Sequence, residues 1–268
     1  MSAPIAVVTG ASSGIGLAVA RALVAAGHTV VGTSRDSSRV TPVPGVSFLD
    51  LDVSSPSSTA DLVATVLDRH GRIDVLVNNA GIGSVGAAEE SSVEQDRRLF
   101  DVNVLGVMRV TKAVLPHMRE QGSGRVVTIS SVLGLIPSPY MAAYAATKHA
   151  IEGWSESVDH ELREFGVRAV LVEPFFTATS FETNSLRPDT PQPAYATRRR
   201  TAEDVVAAGV RSGDDPAVVA GAVLAAVTDA TPKVRYAAGG ARRVAALRRY
   251  VPAAAFDRSV RKLNRLPA

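Results

Sequence analysis

Apolar residues fall into short unbroken runs, such as Ile5-Ala6-Val7-Val8 and Val126-Val127, separated by longer stretches in which they recur every three or four positions. A short, largely β-branched run is what a strand covered on both faces requires, and the longer spacing is one face of a helix. The pattern predicts strands over 5–9, 29–33, 46–49, 73–77, 125–129, 168–172 and 234–237, with helices near 15–27, 57–70, 92–120 and 142–165. Strands alternating with helices build a doubly wound α/β fold, a parallel sheet with crossover helices on both faces. Residues 175–215, rich in Pro, Thr, Ser and Arg and without a clean period, predict an insertion or lid holding one or two short helices.

Composition narrows this picture without changing it. A chain of 268 residues, 46% hydrophobic and 21% charged, fits one large domain over 1–268 and argues against disorder. The absence of cysteine excludes disulfides and thiolate chemistry, and the five scattered histidines give no metal-ligand spacing. An apolar strand almost at the first methionine leaves no room for a leader, and Pro137 and Pro139 break the long uncharged run 126–147, so a soluble, cytoplasmic protein is expected. A net charge of +3 is too small for general nucleic-acid binding. Its distribution is uneven, since residues 241–268 carry eight Arg or Lys against the one acid Asp257, a net +7 that leaves −4 for the rest.

Ligands of doubly wound sheets bind beyond the carboxyl ends of the strands, and here those ends carry Gly10, Arg35, Asp52, Asn78, Ser131 and Pro174 in turn. After the first strand comes Thr9-Gly10-Ala11-Ser12-Ser13-Gly14-Ile15-Gly16 and then a helix, a glycine turn that lets backbone N–H groups and a helix N-terminus face a pyrophosphate. The second strand ends Ser34-Arg35-Asp36, with serine where an acid would hold a ribose 2′-hydroxyl and arginine beside it. That points to NADP(H) over NAD(H), the alternative being that Arg35 is solvated and Asp36 faces the ribose. Asp52-Val53 is a candidate contact to the adenine edge, with a helix cap as the alternative role of Asp52. Asn79, Ala80 and Gly81 close the fourth strand, where they pin backbone or touch cofactor. Asn103, in an uncharged helical stretch, requires polar partners. Tyr144 and Lys148 are four apart on one helix face, and Ser131 lies just past the fifth strand. An ammonium beside a phenol is expected to lower its pKa and make it a proton donor and acceptor, with Ser131 polarising a carbonyl oxygen.

Together these residues resemble the short-chain dehydrogenase/reductase family, through T-G-x-x-x-G-I-G at 9–16, N-N-A-G at 78–81, Asn103, Ser131 and Y-x-x-x-K at 144–148. The resemblance implies a single-domain Rossmann fold with a seven-stranded sheet, and commonly a homodimer or homotetramer. It implies Tyr144 as general acid/base, Lys148 as holder of the nicotinamide ribose, Ser131 as carbonyl polariser and Asn103 as a member of a proton relay. Where the family usually has P-G-x-x-x-T after the sixth strand, this chain has Pro174-Phe175-Phe176-Thr177-Ala178-Thr179, so Phe175 replaces glycine and Thr179 is the remaining candidate contact.

Val132, Leu133, Ile136, Pro137, Tyr140, Met141, Phe175, Phe176 and Phe181 offer an apolar site for a lipophilic ketone or secondary alcohol, in keeping with similarity to the hydroxysteroid and retinol dehydrogenase branch. Phe256, Val260 and Leu263 recur at helical spacing in the basic tail, a pattern that packs on its own domain or a second subunit, or else meets an anionic membrane. The reading that follows is an NADPH-dependent carbonyl reductase, reversible as an alcohol dehydrogenase. The alternative is a catalytically silent NADP(H) sensor of the same fold.

Overall fold

Seven apolar runs do form strands: β1 (Ile5–Val8), β2 (Thr29–Ser34), β3 (Val46–Asp50), β4 (Val75–Asn78), β5 (Gly124–Ile129), β6 (Val167–Glu173) and β7 (Arg235–Ala237). The computed structural model describes residues 3–181 and 184–267. All neighbouring strands pair in parallel, in the order β3-β2-β1-β4-β5-β6-β7. The chain winds outward from β1 through β2 to β3 and then resumes on the other side at β4. A crevice therefore opens between the carboxyl ends of β1 and β4.

Because side chains alternate along a strand, each strand feeds two cores. Val7, Val31, Leu76 and Val126 point to one face, where α2 (Pro56–His70), α4 (Gly106–Gln121) and α5 (Ala142–Leu162) cover them. Val8, Val30, Val77, Val127 and Val172 point to the other, against α1 (Gly14–Ala25) and α7 (Pro216–Thr228). Full burial of a valine or leucine contributes about 1.5–3 kcal/mol, which is why β1 to β6 suffice with four to seven residues each.

Two predicted elements differ in detail, and one helix was not predicted. The helix expected over 92–120 is α3 (Val93–Phe100) and α4 joined by a π-helical turn, Asp101–Leu105. The insertion at 175–215 holds one long helix, α6 (Ala196–Arg211), after a short 3₁₀ turn at Pro193–Tyr195. Helix α7 was not expected, because its sequence PAVVAGAVLAAVT is apolar all round and shows no helical period. The tail forms α8 (Ala241–Tyr250) and α9 (Ala253–Leu263); Phe256 of α9 packs on its own domain and Val260 faces the cleft, while Leu263 at its rim stays largely exposed. Among the described residues no helix is long and apolar enough to cross a membrane.

Candidate active site

The turn between β1 and α1 is shaped by its glycines. Gly10 (φ +65°) and Gly14 (φ +54°) take left-handed backbone that other residues adopt at a cost. A Cβ at Gly16 would lie 2.5 Å from Asn79 Nδ2 and closer still to the Gly10 carbonyl oxygen. Ser13 precedes α1 without a side-chain cap, and no acid occupies the first helical turn. Ser12, Ser13, Gly14 and Ile15 line the cleft, which suits that positive helix end to an anionic group. Asn79 pins the turn from β4: its Nδ2 donates to the carbonyls of Thr9 (2.9 Å) and Gly10 (3.1 Å). The N–H groups of Asn79 and Ala80 both donate to Thr9 Oγ1 at 2.9 Å. Asn79 thus has a structural role and also lines the cleft, as do Ala80 and Gly81.

Ser34, Arg35, Asp52 and Val53 form the far end of the cleft. Asp36 is used elsewhere: its carboxylate accepts from the Ser38 N–H (3.2 Å) and hydroxyl (2.5 Å) and pairs with Arg39 at 2.9 Å. Asp52 is not a helix cap. Its Oδ1 accepts from the Ser54 hydroxyl (2.6 Å) and N–H (2.9 Å), bonds that hold the carboxyl below its usual range, while Ser55 caps α2.

The three proposed catalytic side chains converge. Ser131 sits at the end of β5 and its Oγ accepts from the Leu133 N–H at 3.1 Å, which leaves the hydroxyl proton free to face Tyr144. Tyr144 and Lys148 are buried on α5, with Lys148 Nζ 5.7 Å from the phenol ring centroid and donating to the Ile129 carbonyl at 2.9 Å. The phenol is not depressed as the Tyr-Lys spacing predicted: burial pushes it above its ordinary range and outweighs the Ser131 contact that lowers it. Burial lowers Lys148 to about 8, with Glu152 opposing that fall. Phe181 meets the Tyr144 ring edge-on at 5.5 Å.

Asn103 lies behind the cleft, buried in the π-helical turn. Its Oδ1 accepts from the Ile82 N–H (2.9 Å), and its Nδ2 donates to the Ile82 carbonyl (2.8 Å) and Thr147 Oγ1 (3.3 Å). The side chain therefore ties the loop after β4 to α5. Pro174 and Thr179 line the cleft, and Thr179 Cγ2 packs 3.2 Å from where a Gly14 Cβ would lie. Phe175, in place of the usual glycine, packs edge-on to Phe176 at 5.1 Å and joins a cluster with Val132, Ile136 and Phe256 that anchors the tail to the site.

The whole cleft encloses about 720 Å³. Its apolar wall includes eight of the nine predicted residues; Tyr140 instead packs in an adjoining cluster with φ +64°. The sequence reading missed Val205, Val206 and Val210 of α6 and Val260 and Leu263 of α9, which complete the wall. The helical recurrence of Val260 and Leu263 was a visible signal, but nothing local tied it to the site.

The short chain dehydrogenase family matches residues 4–189. A 3-ketodihydrosphingosine reductase of Bacteroides thetaiotaomicron is 39% identical over 184 residues, covering 69% of this chain and 68% of its own. Dehydrogenase/reductase SDR family member 7B of Danio rerio is 32% identical over 266 residues, covering 94% and 83%. A short-chain dehydrogenase structure from Streptomyces avermitilis superposes with TM-score 0.82 at 36% identity, covering 99% of this chain and 96% of its own. An NAD complex from Burkholderia phymatum (TM-score 0.79, 29% identity, 88% and 89% covered) and a metagenomic NADP complex (0.70, 30%, 87% and 96%) share the fold. With its seven-stranded parallel sheet, its glycine turn and its Ser-Tyr-Lys cluster matched across two-thirds of its length, the chain belongs to the short-chain dehydrogenase/reductase family of oxidoreductases.

Proposed function

We propose that this oxidoreductase is an NADPH-preferring carbonyl reductase, reversible as a secondary alcohol dehydrogenase, whose substrate is a bulky lipophilic ketone. The observation that carries the reading is one continuous cleft of about 720 Å³ that runs from the glycine turn and Arg35 past Ser131, Tyr144 and Lys148 to an apolar wall that includes Phe175, Phe176 and Phe181. The open N-terminus of α1, the glycine backbone and the Asp52-Val53 edge suit a dinucleotide. Arg35 lines the cleft where a 2′-phosphate would lie, while Asp36 is committed to the 37–39 turn, which favours NADP(H) over NAD(H). A relative named for reduction of 3-ketodihydrosphingosine is in keeping with a lipophilic ketone.

The nicotinamide, when bound, supplies hydride to the carbonyl carbon or takes it from the alcohol. Ser131 donates its free hydroxyl proton to the carbonyl oxygen, which polarises the bond. Tyr144, kept protonated by its burial, delivers a proton to the same oxygen as charge develops there. The phenolate left behind is held by the Lys148 ammonium until solvent reprotonates it. Phe181, packed edge-on against the Tyr144 ring, holds the phenol in place for that exchange.

The test is oxidation of NADPH and NADH, followed by absorbance, against lipophilic and small polar ketones. Tyr144→Phe should lower kcat by roughly 10²- to 10⁴-fold, the usual contribution of a positioned acid/base. Arg35→Ser should weaken NADPH alone, by roughly ten- to a hundred-fold, if a charge-assisted bond of about 1.5–3 kcal/mol is lost. Equal use of both cofactors by the parent protein sinks the role of Arg35, and an unimpaired Tyr144→Phe sinks that of Tyr144.

A further inference from the structure

We propose that Glu152 is a positioning residue of the reaction: its buried carboxylate, one helical turn beyond Lys148, keeps that lysine in the ammonium form that a cofactor ribose requires. The inference rests on the assignment of Lys148 to cofactor binding made above. Tyr144, Lys148 and Glu152 are spaced four apart on the buried face of α5, which places them one above another. All three are nearly excluded from water, with Glu152 only 3% exposed. A buried ammonium is unstable unless a negative charge compensates it. Lys148 Nζ donates to a neutral acceptor, the Ile129 carbonyl at 2.9 Å, and Glu152 is the acid whose charge supports it.

The carboxylate is held so that only part of it is spent elsewhere. Its Oε2 accepts from the Arg235 guanidinium of β7, which also binds Glu173 of β6 and, at 2.8 Å, Glu156 of α5. Its Oε1 and the neighbouring Ser130 hydroxyl make no hydrogen bond of ordinary geometry among the described residues, although the hydroxyl stands near enough to favour the carboxylate. Both atoms crowd Gly134, where a Cβ would lie 3.0 Å from Oε1 and 2.9 Å from Ser130 Oγ, so the catalytic turn 130–134 rests directly on this carboxylate. Of the three acids around this arginine, Glu152 is the one whose charge acts on the lysine. Burial, together with Glu173 and Glu156, pushes Glu152 up to about 7, so it is ionised across the alkaline range in which Lys148 titrates.

The test is the pH dependence of NADPH and NADH binding, read by cofactor fluorescence from pH 6 to 10 in the parent, Glu152→Gln, Glu152→Asp and Glu173→Gln proteins. Removing the charge lets the Lys148 pKa fall. A drop of one unit from about 8 leaves roughly a tenth of the lysine charged at pH 8 instead of half, so binding weakens about five-fold at pH 8 and hardly at all at pH 6. Glu152→Asp, which keeps the carboxylate, restores the alkaline limb. Glu173→Gln perturbs the same arginine but leaves the limb in place, which separates charge support from general loosening of the cluster. Superimposable profiles for the parent and Glu152→Gln, or an equal displacement in Glu173→Gln, would overturn the inference while leaving cofactor binding intact. Failure of the parent protein to bind either cofactor would overturn the cofactor reading and this inference with it.

Discussion

Glu90 is a point at which the 175–215 insertion is fastened to the body of the protein, and its replacement by glutamine should release that segment without unfolding the sheet. The side chain is fully buried although its sequence neighbour Glu89 is exposed. Its Oε1 accepts from the Gln192 N–H at 2.9 Å and from the Arg199 guanidinium of α6, while Oε2 accepts from the Ala87 N–H at 3.1 Å. The Glu90 carbonyl also accepts from Thr190, through its N–H (3.0 Å) and its hydroxyl (2.8 Å). Glu90→Gln would keep the volume but lose the charge, and the new amide would turn a donor toward groups that are themselves donors. Breaking a buried pair by removing one partner costs about 3–5 kcal/mol. Arg199 keeps 19% side-chain exposure and can rehydrate, so the lower end applies, about 3 kcal/mol. With an unfolding entropy of about 2.1 cal/mol/K per residue over 268 residues, that loss lowers Tm by about 5 °C. Calorimetry should be paired with hydrogen exchange resolved by segment. Faster exchange confined to residues 186–199, with β1 to β6 unchanged, is the expected result. A Tm within about 1 °C of the parent, well short of the shift that the lost pair requires, or exchange that rises equally in the sheet, would refute the latch.

Three further substitutions test other parts of the same geometry. Gly16→Ala should abolish NADPH binding in a fluorescence titration while the fold survives, because its Cβ would push apart the Gly10 carbonyl and Asn79 that shape the turn; retained affinity contradicts this. Asp159→Asn should cost about 3 kcal/mol or more in urea unfolding, since this buried carboxylate accepts from Arg163, Arg168 and the Ala169 N–H. Burial raises the Asp159 pKa, but those bonds outweigh it and hold the value below 3.8, so the stabilisation is present above 3.8 and lost as pH falls through the folded pKa. Glu152 behaves oppositely: its pKa is raised from 4.5 to about 7, so its contribution is full below 4.5 and is lost as pH rises to about 7. Glu152→Gln should therefore flatten the fall in unfolding free energy between about pH 5 and 7, and an unchanged slope there excludes Glu152 as its source.

How much of this was legible in the sequence follows from the range over which each feature is decided. The strands were readable because both faces of the sheet are covered, which forces every residue of runs such as Val75–Asn78 into the interior. The glycine turn, Ser131 and the Tyr144-Lys148 pair were readable because their chemistry is local: a left-handed backbone, a strand end, a helical repeat of four. Asn103 was readable as a polar residue needing partners, but its partners Ile82 and Thr147 lie 21 and 44 residues away. Helix α7 was invisible because Val and Ala on all sides erase the period, and the π-helical turn because an extra backbone residue leaves no trace in side-chain pattern.

The acids that matter most here were invisible for a different reason. A carboxylate on a helix or in a short turn reads as solvated, since burying one without a partner costs several kcal/mol. Glu90 and Glu152 are buried only because arginines 109 and 83 residues further on arrive to meet them, Arg199 on α6 and Arg235 on the last strand. Each arginine belongs to an element added after the central crossover units, and each reaches back to a buried acid, Arg199 to Glu90 and Arg235 to Glu152. Docking the insertion and seating β7 thus also neutralise these buried charges. Weakening either late element should leave an uncompensated carboxylate, Glu152 beneath the 130–134 turn or Glu90 beneath the insertion, so damage at β7 is expected to be felt at Lys148 before the sheet itself gives way.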